Sequence, residues 1–134
     1  MGALVYFSSQ TGNTHHLIEK TGIGAHRIPI SPKDGALIVD EPFVLVVPTY
    51  GASDGRGAIP KQVLSFLETG DHENLIRGVI GGGNMNFGAT YCLAARKISE
   101  KYRVPVLYKF ELRGTSTDAD KIRTGMELFW KTRH

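Results

Sequence analysis

Apolar residues fall along this chain in short blocks whose spacing switches between that of buried strands and that of amphipathic helices. Ala3-Leu4-Val5-Tyr6-Phe7 is a continuous apolar run, as expected of a strand covered on both faces. After a polar stretch, Leu17, Ile18 and Ile23 recur at helical spacing. Ala25 to Ile30 reads as a strand, and Pro29 confines it to a sheet edge because proline brings no N–H to a ladder. Residues 31–42 contain Pro32, Gly35 and Pro42 and are too broken for a helix. Phe43-Val44-Leu45-Val46-Val47 is a second buried run, followed by a loop from Pro48 to Gly57. Ile59, Val63, Phe66 and Leu67 then mark a helix with Pro60 in its first turn. Gly78 to Gly81 predicts a short strand running into Gly82-Gly83. Tyr91, Ala94, Ala95, Ile98 and Tyr102 share one helical face, Val106 to Leu112 is the last strand, and a final helix runs from about Thr117 through Ile122, Met126, Phe129 and Trp130.

Strands alternating with helices call for a parallel sheet covered on both faces. The pattern gives five strands and four helices, with the helix between the second and third strands missing. Extended chain covers up to ~3.5 Å per residue, so residues 31–42 can still make that crossover. The expected architecture is a doubly wound α/β sheet of five parallel strands in the order 2-1-3-4-5, with one crossover helix reduced to a loop. Residues 1–134 form one domain, with no repeat or internal linker.

Composition narrows the class rather than the function. The chain is 41% hydrophobic and 22% charged, ordinary for a globular domain. No apolar run approaches the ~20 residues of a membrane span, and no charged-apolar-small leader opens the chain. One cysteine, Cys92, excludes an internal disulfide and C-x-x-C chemistry. A cytoplasmic location is the expectation. The net charge of +3 is mildly basic, but the basic residues are dispersed, which argues against nucleic acid.

The stretch Ser8-Ser9-Gln10-Thr11-Gly12-Asn13-Thr14 lies at the first strand-to-helix turn, and six of its seven side chains are polar and uncharged. Hydroxyls, amides and the positive end of a helix dipole together receive a phosphate without a cation. Gly12 permits a tight turn. No Gly-Lys-Ser/Thr follows and no G-x-G-x-x-G occurs, so neither a triphosphate loop nor a dinucleotide fingerprint is present. A terminal phosphate monoester suits this stretch best. In doubly wound sheets ligands lie beyond the C-terminal strand ends, where loops 8–14, 48–57 and 81–91 meet. Thr49-Tyr50-Gly51 and Asn84-Met85-Asn86-Phe87-Gly88 supply two aromatics able to stack on a flat ring and amides able to read its edge. A phosphate at one loop and a flat polar ring between the next two describe flavin mononucleotide (FMN).

Several stretches, in order and over almost the full length, resemble the NrdI family, flavodoxin-like accessory proteins of class Ib ribonucleotide reductase. They are Leu4 to Ser9, Asp40 to Phe43, Val47 to Gly51, Arg77 to Ile80, Gly83 to Gly88, Val104 to Leu112 and Gly114-Thr115. Ser9-Gln10-Thr11-Gly12-Asn13-Thr14 is similar to the phosphate loop of any flavodoxin; the N-x-N-F-G loop and the V-P-x-L-x-x-F-E-L strand are more specific. The resemblance implies a cofactor set of Ser8, Ser9, Gln10, Thr11, Gly12, Asn13, Thr14, Thr49, Tyr50, Gly51, Gly83, Asn84, Asn86, Phe87, Gly88 and Tyr91. It implies a redox accessory protein rather than a stand-alone enzyme. Its reduced flavin, fed by a separate reductant, would give a superoxide-level oxidant for dimanganese-tyrosyl radical assembly in the reductase small subunit. The residues offer a physical counterpart. Residues 81–91 carry no charge and 48–57 carry Asp54 and Arg56, a local formal charge of zero. A reduced, negatively charged ring is then easier to form than among acidic groups. Backbone freedom at Gly51 and at Gly81 to Gly83 further predicts a peptide that turns over on reduction. Arg56 is the only cation in the two ring loops and marks the expected face toward an acidic partner surface.

Two other functions fit the pattern: a general electron-transfer flavodoxin for another enzyme, and a non-redox module that binds a phosphate ligand. The remaining chemistry-bearing residues have plainer readings. Cys92 lacks the arginine six positions on that a phosphatase loop needs, and reads as a packing residue or a helix-surface thiol. His15 and His16 are adjacent on a helix, diverge, and read as solvated; His26, His72 and His134 read as isolated. No metal site is expected.

Overall fold

The computed structural model describes residues 2–9, 12–49, 58–83, 92–111 and 113–132. Elements follow in the order β1 (Ala3–Tyr6), α1 (Asn13–Thr21), β2 (His26–Arg27), a 3-10 turn (Pro32–Asp34), β3 (Phe43–Pro48), α2 (Lys61–Glu68), α3 (His72–Leu75), β4 (Ile76–Gly83), α4 (Leu93–Tyr102), β5 (Val106–Glu111) and α5 (Ser116–Thr132). The strands form one parallel sheet in the order β2-β1-β3-β4-β5, the arrangement the hydrophobic pattern predicts.

Alternation along β1 and β3 assigns the two faces. Val5, Phe43, Leu45 and Val47, with Phe7 just beyond β1, pack with Val63, Phe66 and Leu67 of α2 and with Ala94, Ala95 and Ile98 of α4. Leu4, Tyr6, Val44 and Val46 pack with Leu17 and Ile18 of α1 and with Ala119, Ile122 and Met126 of α5. Residues Phe43 to Val47 are all fully buried, as a central strand between two helical layers must be.

The crossover from β2 to β3 is a loop with one 3-10 turn. It is tethered at both ends: the Gln62 side-chain amide donates to the Ile30 carbonyl (3.1 Å), and the Val39 N–H donates to His72 Nε2 (2.9 Å). A cavity of about 400 Å³, lined in part by Ile28, Ile30, Leu37 and Phe66, remains beside α2. None of its lining residues belongs to the three loops at the C-terminal strand ends.

The structure departs from the sequence reading in several places. The single turn α3 is a helix that the hydrophobic pattern does not show, too short for any periodicity to betray. Ile23 falls beyond α1, which Gly22 closes in the left-handed conformation (φ +71°). Residues 25–30 pair with β1 only at His26 and Arg27. α5 begins at Ser116, preceded by a reciprocal cap: Asp118 accepts from the Thr115 N–H (2.8 Å) while the Asp118 N–H donates to Thr115 Oγ1 (3.1 Å).

β4 is twice the length expected and runs through Gly81, Gly82 and Gly83, which pair with Lys109, Phe110 and Glu111 of β5. A β-carbon on Gly82 would lie 2.5 Å from the Phe110 ring. These glycines are there for close approach, not for a turn. Gly81 and Gly82 therefore lack the freedom for the peptide turnover expected of them; Gly83 is the last residue of the strand, and Gly51 lies outside the described residues.

Candidate functional site

The loops after β1, β3 and β4 leave the sheet at one edge, the C-terminal strand ends. The first joins β1 to α1. Ser8 is fully buried, and its hydroxyl oxygen accepts the His15 N–H (3.1 Å). Gly12 has φ +75°, donates its N–H to the Ser9 carbonyl (3.0 Å) and accepts from the His16 N–H (2.9 Å). It is the N-cap residue of α1 and has no side chain of its own to cap with, so among the described residues Ser8 serves one first-turn amide from outside the helix, and the first turn carries no acidic residue. The positive pole of α1 thus has no first-turn carboxylate to neutralise it. Asn13 is half-buried and Thr14 buried in that first turn.

Around this loop the structure assembles residues that the sequence reading passed over. The Tyr6 hydroxyl donates to His15 Nδ1 (2.6 Å), and His15 Nε2 lies 3.2 Å from the Glu19 carboxylate. His15 is therefore not a solvated helix residue; it links β1 to α1. Burial raises the Tyr6 pKa, opposed by the Arg27 guanidinium and aided by Glu19. Arg27 Nη2 donates to the carbonyls of Ser8 (3.3 Å) and Ser9 (3.5 Å). The one signal for this arginine was positional: in parallel register, Tyr6 pairs with Arg27 and Val5 with His26.

At the second strand end, the Thr49 N–H donates to the Gly82 carbonyl (2.9 Å), and Thr49 Oγ1 accepts the Ala94 N–H (3.1 Å). Thr49 thus caps α4 from another loop and ties the exits of β3 and β4 together. At the third, Cys92 precedes α4 in the left-handed conformation (φ +55°). It is fully buried, with Sγ 3.5 Å from the Gly81 carbonyl and 3.9 Å from that of Phe110. The thiol is a packing group, not a surface one. Gln10, Thr11, Tyr50, Gly51, Asn84, Asn86, Phe87, Gly88 and Tyr91, together with Asp54 and Arg56, lie outside the described residues. Ser8, Ser9, Gly12, Asn13 and Thr14 share one turn, and Thr49 directly follows β3 while Gly83 is the last residue of its neighbour β4. Among the described residues no three His, Cys, Asp or Glu side chains group as metal ligands, and no helix is long and apolar enough to cross a membrane.

A five-stranded parallel sheet in this order, with a helix opening at the end of its first strand, defines a flavodoxin-like protein. The fold matches a short-chain flavodoxin associated with a non-canonical PDU bacterial microcompartment (TM-score 0.67, 19% identity, 100% of this chain and 99% of that one). It also matches oxidised flavodoxin 2 from Bacillus cereus (TM-score 0.65, 20% identity, 98% and 99%). A Fusobacterium nucleatum flavodoxin mutant bound to flavin mononucleotide is similar at TM-score 0.60 and 15% identity over 98% and 96%. The family described as "NrdI Flavodoxin like" matches residues 5–124, and the chain belongs to that family. It is 54% identical to Protein NrdI of Paracoccus denitrificans over 98% of this chain and 96% of the relative. To Protein NrdI of Rhizobium johnstonii it is 51% identical over 100% and 99%.

Proposed function

We propose that this protein binds FMN and serves class Ib ribonucleotide reductase as its flavoprotein, in the cytoplasm. The observation that carries the reading is the N-terminus of α1 behind Gly12, with no carboxylate in its first turn, at the ligand end of the sheet in a member of the NrdI family. Ser9, Gly12, Asn13 and Thr14 would hold the phosphate, together with Gln10 and Thr11. The buried Ser8 would brace the turn through its bond to the His15 amide. Thr49, just after β3, and Gly83, the last residue of β4, precede in sequence Tyr50, Gly51, Asn84, Asn86, Phe87, Gly88 and Tyr91, the groups assigned to the ring.

The residues present fit such a group. An anion there meets a helix dipole opposed by no first-turn carboxylate. Bound, the flavin would supply electron transfer and, when reduced by a partner reductant, a superoxide-level oxidant from oxygen for radical assembly in the manganese small subunit. This chain's part is to hold the phosphate, to keep the ring loops at a formal charge of zero, and to present them to the subunit.

The test is the visible spectrum and flavin content of the purified protein, with FMN and riboflavin titrated into the flavin-free form. One FMN per chain, held more tightly than riboflavin, is the expected result. A colourless protein that takes up neither would leave a non-redox phosphate module.

A further inference from the structure

An anion loop works only if its N–H groups face the anion, which requires its carbonyls to face elsewhere and to find partners there. Here Arg27 Nη2 reaches the carbonyls of both Ser8 and Ser9, at 3.3 and 3.5 Å, and the Ser9 carbonyl also accepts the Gly12 N–H at 3.0 Å. The arginine reaches them from β2, the edge strand, where it pairs in register with Tyr6. The Ile28 N–H also donates to the Tyr6 carbonyl (2.8 Å), so the base of the arginine is fixed to the strand that feeds the loop. In a planar trans peptide the C=O and the following N–H point in opposite directions. Drawing the Ser8 carbonyl toward β2 turns the Ser9 N–H to the other side.

The guanidinium is also a permanent charge beside a loop whose residues 8–14 contain no lysine or arginine. Its field acts on Tyr6 of β1, whose hydroxyl bonds to His15 of α1, itself beside Glu19.

From this placement we propose that Arg27 is the positioning residue of the phosphate loop. It clasps the Ser8 and Ser9 carbonyls from the edge strand, sets the loop for an anion, and so gives the site its preference for a phosphorylated over an unphosphorylated flavin. The proposal rests on the reading that the loop takes the FMN phosphate.

Titration of the flavin-free protein with FMN and with riboflavin separates the two. The variants are Arg27→Gln, Arg27→Lys and, as a charge control at the far end of α1, Lys20→Gln. Arg27→Gln is expected to weaken FMN about tenfold or more, the scale of charge-assisted hydrogen bonds, and to leave riboflavin unchanged. Arg27→Lys keeps the charge without the fork and falls between; Lys20→Gln changes neither ligand. Arg27 is exposed, so thermal unfolding of the flavin-free variants should match the parent; if Arg27→Gln does not fold, Arg27→Lys carries the comparison. Equal weakening of both flavins, or an unaltered FMN preference, overturns the positioning role. A parent protein with no preference for FMN over riboflavin overturns the phosphate reading, and the role of Arg27 with it.

Discussion

The β-carbon of Ala95 stands 2.6 Å from the point where a β-carbon on Gly81 would be. α4 therefore rests directly on the backbone of β4, and Cys92 fills the next gap, 3.3 Å from the same point. Ala95 cannot turn aside, because its methyl is fixed to the helix.

Gly81→Ala should consequently push α4 off the sheet and cost about 1–3 kcal/mol, the range for overpacking a filled interior. The Thr49-to-Ala94 cap between the ring loops should loosen with it. Denaturant unfolding of the flavin-free protein checks the stability, and the Ala94 amide exchange rate checks the cap. An unchanged midpoint with unchanged exchange would mean that the contact is not as close as described.

His72 should behave as a core residue. It is fully buried, stacks on Phe66 at 3.9 Å between ring centroids, donates from Nδ1 to the Phe66 carbonyl (2.6 Å) and accepts the Val39 N–H at Nε2 (2.9 Å). His72→Phe keeps a ring but strands the Val39 N–H, at about 1–3 kcal/mol, while the Phe66 carbonyl keeps the Thr69 N–H (3.1 Å). The crossover loop should then exchange amide hydrogens faster around Val39. Unfolding and exchange measurements together decide this; a variant as stable as the parent contradicts it.

The sheet order was legible because Val44, Val46 and their neighbours alternate between two helical layers and leave no polar position in the central run. Loops are less legible. His72 looked isolated because its hydrogen-bond partners, at Val39 and Phe66, are backbone groups and write no side-chain pattern. Arg27 escaped for the same reason: its bonds go to main-chain oxygens. Gly82 and Gly83 read as the opening of the loop after a short strand because glycine is the same letter whether it supplies a bend or makes room for a neighbouring ring. The polar run Ser8 to Thr14 was readable as an anion loop, but nothing in it announced that Ser8 would be buried and used as a brace.

The start of α5 should be pH-sensitive at both extremes. Tyr108 donates to Asp118, which also receives the Thr115 N–H and hydroxyl. Burial pushes the Asp118 carboxyl up, but these bonds and Lys121 outweigh it and leave its pKa below the usual 3.8. The bond to Asp118, with burial, raises the Tyr108 phenol from 10.0 to about 12. A lowered carboxyl stabilises the fold above its unfolded pKa and loses that contribution as the pH falls through its folded value. A raised phenol stabilises below pH 10 and loses its share as the pH rises toward 12. Asp118→Asn should flatten the acid limb of stability against pH, and Tyr108→Phe the alkaline limb. Parallel curves for parent and variants would remove the pair from the account.

The central claim is that this flavodoxin-like chain exists to equip a ribonucleotide reductase. The most direct measurement is electron paramagnetic resonance of the class Ib small subunit loaded with manganese(II) and exposed to oxygen in the presence of the reduced, FMN-loaded protein. The account predicts a tyrosyl radical signal that grows with the amount of this protein, is absent without it, and is not reproduced by an equally reduced general flavodoxin. No radical, or the same radical with either flavoprotein, would contradict it and leave a carrier of electrons for another enzyme.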